Sequence, residues 1–60
     1  MKHYTINTAE DLRKALAEIA EADFLAEMAD DYTVWRREKN AAAEAKRDVL
    51  RQAKALGLQA

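Results

Sequence analysis

The residues richest in chemistry in this 60-residue chain lie close together: Tyr32, Trp35, Arg36 and Arg37, preceded by Asp23, Glu27, Asp30 and Asp31. Aromatic rings beside guanidinium groups are the materials of a single-strand nucleic-acid platform, where bases stack on rings and cations follow phosphates. The bland alternative is an interface anchor flanked by solvated arginines. It is the stronger reading, because Tyr32 and Trp35 fall in helical phase with Met28 and Leu50. Trp and Tyr are also the preferred anchors of protein interfaces.

The four acids offer oxygens that a divalent cation could take, or a decoy for a phosphate backbone. Hard-cation sites usually draw their ligands from a turning loop rather than from a helix alone. Acids at a helix start are the commoner explanation. No metal ligand is therefore assigned.

A second basic run, Lys46, Arg47, Arg51 and Lys54, joins Arg36 and Arg37 as a set of possible anion contacts. Such a set gives a salt-dependent attraction to phosphates. Against it stand Glu44 and Asp48 in the same turns, a net charge of −1, and no helix-turn-helix spacing. Nucleic-acid binding is the runner-up function.

Catalysis is the least expected class. The chain has no serine and no cysteine, so the common activated nucleophiles are missing, and its one histidine, His3, lies in an exposed N-terminal arm. No catalytic or cofactor-binding residue is assigned, and the expectation is a non-enzyme without cofactors.

What elements must position these side chains? Half of the residues are nominally hydrophobic, but fourteen of those thirty are alanine. Sixteen larger apolar residues are little to build a core from. A chain of this length buries only about 60% of its unfolded surface, and with no disulfide to staple it, oligomerisation is the expected remedy. There is no proline and one glycine, Gly57. Alanine with Leu, Glu, Lys and Arg is the composition of helices. No apolar run reaches the roughly 18 residues of a membrane span, and no apolar leader core stands near the N-terminus. A cytoplasmic protein with no membrane partner is expected.

Along the chain, residues 1–7 read as a short extended arm, with Tyr4 and Ile6 on one side. Asn7 with Glu10, or Thr8 with Asp11, forms the capping signal of helix 1, expected over about residues 8–20. From Thr8 to Leu56 nothing forbids helix, so phase has to find the break. At about 100° per residue, Leu12, Leu16 and Ile19 share one direction. Phe24 to Leu56 centre about 150° away from it. A turn at about 20–23, with Asp23 capping helix 2 over about 24–56, lets the two stripes face each other. Gly57 is the expected residue just past the helix end, with Leu58 packing back.

The expected architecture is one all-α domain, a helical hairpin of a short and a long helix. The long helix carries an apolar seam of Phe24, Leu25, Met28, Tyr32, Trp35, Ala42, Val49, Leu50, Ala53 and Leu56. Its second half would lack cover from helix 1. Two copies crossing antiparallel near residue 40 would set rings on alanines, and Glu27, Asp30 and Asp31 near Arg47, Arg51 and Lys54. The result is a homodimeric four-helix bundle, with Lys39 and Lys46 as awkward cations on the seam. The expected function is a small interaction protein, an adaptor, regulator or inhibitor, that self-associates through helix 2. Small accessory proteins of bacteria, phages and other mobile elements share that profile. The other alternative is a loosely folded monomer that lays Phe24, Met28, Tyr32 and Trp35 into a partner's groove.

Overall fold

In the computed structural model, which describes residues 3 to 58, two helices form a hairpin: α1, Ala9–Ala26, and α2, Tyr32–Ala55. α1 begins at the second of the two expected caps. The Thr8 hydroxyl accepts the Asp11 amide at 3.1 Å, and the Asp11 carboxylate accepts the Thr8 amide at 3.2 Å. This is a closed capping box, with Glu10 and Asp11 in the first turn where the helix dipole favours them.

α1 then runs past residue 20, and the chain breaks over residues 27–31 instead of 20–23. Asp23 lies within the last turn of α1 and caps no helix. The cap of α2 is Asp31, whose Oδ1 accepts the Thr33 amide at 2.7 Å and the Val34 amide at 3.4 Å. Phe24 and Leu25 therefore belong to α1, and Met28 to the connection. The physical reason is twofold. Ala20, Glu21 and Ala22 are strong helix formers with no stop among them. The phase argument also took Phe24 and Leu25 for core residues, whereas both are exposed. Without them, Leu12, Ala15, Ile19 and Ala26 continue one buried stripe to the end of α1.

Leu12, Ala15 and Ile19 of that stripe form one core with Ala42, Val49 and Ala53 of α2. Leu12 and Val49 are the largest side chains fully withdrawn from water. At 1.5 Å per residue, α1 is about 27 Å and α2 about 36 Å long, less unequal than the sequence suggested. Because α1 runs alongside α2, the half of the long helix expected to lack cover, from about residue 40 on, contains all three buried residues of α2, Ala42, Val49 and Ala53. α2 ends as its sequence asks. Gly57 takes φ 74°, its amide bonds the Lys54 carbonyl at 3.1 Å, and the Leu58 amide bonds the Ala53 carbonyl at 2.8 Å. This paired pattern satisfies carbonyls at the helix end and turns Leu58 back onto the core.

The N-terminal arm is a third layer. Ile6 is buried and Tyr4 packs against the core, though neither joins a helix or strand. A single side chain substitutes for the missing sheet partner. Gln52 accepts the Ile6 amide on Oε1 at 2.9 Å and donates from Nε2 to the Tyr4 carbonyl at 2.8 Å. The molecule stays thin, at 38 × 16 × 15 Å with a radius of gyration of 12.2 Å. A compact chain of this length would have a radius near 10 Å. It exposes 4553 Å², where a globular monomer of 6.8 kDa exposes about 4,000 Å².

Candidate interaction surface

The stretch from Asp30 to Asn40 covers the connection and the first turns of α2. Two of its polar side chains, Trp35 and Lys39, close the hairpin, and Asp31 caps α2. Lys39 Nζ reaches back to α1 and donates to Glu27 Oε1 at 2.6 Å and to Asp23 Oδ2 at 3.0 Å. Trp35 Nε1 donates to the other Glu27 oxygen at 3.3 Å. The Tyr32 ring stacks on Trp35, centroids 5.6 Å apart and planes 25° from parallel. The Lys39 ammonium, and next the indole donor, hold the Glu27 carboxyl below the usual carboxylate range. The Glu27 carboxylate, and next Asp23, raise Lys39 above an ordinary lysine. Lys39, expected as a misfit on an intermolecular seam, is thus a clasp across the hairpin.

The ten expected interface residues divide sharply. Ala42, Val49 and Ala53 are buried within the chain against α1, and Trp35 is half-buried in the clasp. The other six remain outside: Phe24, Leu25, Met28 and Tyr32 are 60, 56, 62 and 68% exposed, and Leu50 and Leu56 are exposed as well. Four of these six cluster in sequence at the turn end of the hairpin.

The two flanks of the hairpin differ. On one, the arm lies over Ala15 and Gln52, with His3 3.8 Å from Asp48. Asp48 is held below the usual carboxylate range by Arg51 first and Gln52 second. Among the described residues, none straps the opposite flank in this way. There Leu16, Ile19 and Ala20 of α1 and Ala42, Ala43 and Leu50 of α2 line an open groove of about 630 Å³, with Asp23 and Lys46 at its edges. Sequence reasoning named Leu16, Ile19, Ala42 and Leu50 here but not Ala20. Small residues carry little hydrophobic signal of their own, and the groove exists only once the hairpin has closed.

The expected pairing of Glu27, Asp30 and Asp31 with Arg47, Arg51 and Lys54 of a second copy loses much of its material. Glu27 is engaged by Lys39, Asp31 caps α2, and Arg51 pairs with Asp48 on its own helix. Arg37 lies 3.8 Å from its neighbour Glu38. Arg36, Lys46, Arg47 and Lys54 stand in no ion pair among the described residues. At about 100° per residue, Arg36, Arg47 and Lys54 fall on one stripe of α2, beside Ala43 and Leu50.

Among the described residues no three His, Asp or Glu side chains gather where a metal ion could be held. No described helix is long and apolar enough to cross a membrane. The surface therefore offers apolar area and cations. Compared with known protein families, curated proteins and solved structures, the chain matches none.

Proposed function

We propose that this chain is a non-enzymatic protein-interaction module, an adaptor, regulator or inhibitor, that self-associates and uses α2 in doing so. One observation carries the reading. Among the described residues six large apolar side chains are exposed, while only Ile6, Leu12, Ile19 and Val49 of comparable kind are buried. Scattered exposed apolar residues are ordinary, but a preponderance of them on so small a molecule marks a surface that another protein covers. The thinness of the hairpin points the same way, since a second layer of helices would complete a four-helix bundle. The rings at 24–32 and the groove beside Leu50 supply anchors of the kind that dominate interface energetics. Melting at a series of protein concentrations tests this. Self-association raises the midpoint with concentration by mass action, and a midpoint independent of concentration removes that part of the proposal.

A second reading, binding of nucleic acid, has one observation in its favour: four of the six expected anion contacts are in no ion pair among the described residues. It requires binding to a single-stranded oligonucleotide at low salt that falls steeply as salt rises. Absence of binding at low salt disposes of it.

A further inference from the structure

We propose that two copies pair groove to groove about a two-fold axis parallel to the helices, so that α1 of each copy lies on α2 of the other. This rests on the self-association reading and gives it a face and a geometry. The face is the flank opposite the arm, where Ala20 and Ala43 are both exposed on the groove between Leu16 and Leu50.

Two arrangements bring such grooves together. An axis across the helices sets α2 on α2 and α1 on α1. An axis along them sets α1 on α2 twice. Apolar packing does not choose between these, and charge does. α1 holds five acids against two bases, and α2 holds seven bases against three acids. The three acids of α2, Glu38, Glu44 and Asp48, lie away from the groove by helical phase, and Asp48 is already engaged by Arg51 and Gln52. What α2 presents beside the groove is Arg36, Lys46, Arg47 and Lys54. Stacking α2 on α2 sets like charges together, which costs affinity and steers wrong encounters apart.

Turning the axis by a right angle removes the conflict. Each helix then has two neighbours of opposite net charge and opposite direction around the bundle. The same ends of the hairpins meet, bringing the start of α1, where Glu10 pairs with Lys14, level with Lys54 at the end of α2. On α1 the acid at the groove is Asp23, Arg13 is the cation nearest to it by helical phase, and Glu10 and Glu21 lie toward the outer face. The area suffices as well. A face of 38 × 16 Å projects about 600 Å² before its relief is counted, close to the roughly 800 Å² per partner of a stable pair.

The chain has no cysteine, so single-cysteine variants report the geometry directly. Ala20→Cys and Ala43→Cys, mixed and oxidised gently, are expected to give a severalfold excess of the mixed 20–43 disulfide over 43–43. Ala43→Cys alone is expected to cross-link no better than Arg37→Cys, placed on the outer face of α2 as the control for random collision. A dominant 43–43 product overturns the axis while leaving self-association standing. Cross-linking at the control level throughout, with the mass of one chain, overturns this inference and self-association together. Each variant is checked for an unchanged helical spectrum before mixing.

Discussion

Gln52 holds Ile6, forty-six residues away along the chain, by accepting its amide at 2.9 Å while donating to the Tyr4 carbonyl. One planar amide thus satisfies a carbonyl and an amide two residues apart on one edge of an extended segment, the task that a neighbouring strand performs in a sheet. Ile6 reaches the core because its backbone is satisfied at the same time.

Gln52→Leu keeps the bulk and removes both bonds. It is expected to cost about 1–2 kcal/mol and to speed amide exchange at Ile6 more than in mid-α2. Unchanged exchange at Ile6 would show that apolar packing alone seats the arm.

The buried stripe and the exposed rings should respond oppositely to truncation. Leu12→Ala removes a side chain with no exposure and is expected to cost about 2–5 kcal/mol. That is a large part of the total stability of so short a chain, about 3–9 kcal/mol. Phe24→Ser should change the stability of a single hairpin by less than about 0.5 kcal/mol and weaken association. Denaturant melts at low and high protein concentration separate the two effects.

The clasp has a definite pH signature. Glu27 is depressed in the folded chain, so its contribution is complete above the ordinary carboxylate range and is lost as pH falls through its folded value. Lys39 is raised, so its contribution is complete below the ordinary lysine value and is lost as pH rises through its folded value. Between about pH 5 and 10 both are present. Lys39→Met should therefore lower the melting midpoint at pH 7 and lower it less at pH 3. Trp35 bonds the same carboxylate and is the only tryptophan, so its fluorescence follows the clasp. An equal loss at both pH values would contradict the clasp.

Gly57 has open space where a Cβ would sit, so only its positive φ opposes a side chain. Gly57→Ala is expected to cost about 1 kcal/mol, visible as a lower melting midpoint. A neutral result would mean that the helix end rearranges freely.

The hairpin was legible in the sequence because composition, caps and glycine agree. Alanine-rich segments, the Thr8–Asp11 box and Gly57 each act through neighbouring residues, and each stands where expected. The position of the turn was not legible. Helix formers fill both sides of residue 20, and the phase argument assumed that large apolar residues are buried. Phe24 and Leu25 break that assumption because they face outward. The signal for the true turn was the pair Asp30–Asp31 before the β-branched Thr33 and Val34, an N-cap placed eight residues later than the one chosen. Lys39 looked out of place for the same reason, since its partners Asp23 and Glu27 come within reach only with the turn at 27–31. The groove at Ala20 and Ala43 arises from two helices together, and no single-helix pattern contains it.

The most direct test of the central claim, that another chain covers this surface, is the molar mass in solution by light scattering at low and high salt. The account predicts twice the 6.8 kDa of the chain at low salt, with weaker association at high salt as the charges between α1 and α2 are screened. A mass of one chain at every concentration and both salts would contradict it.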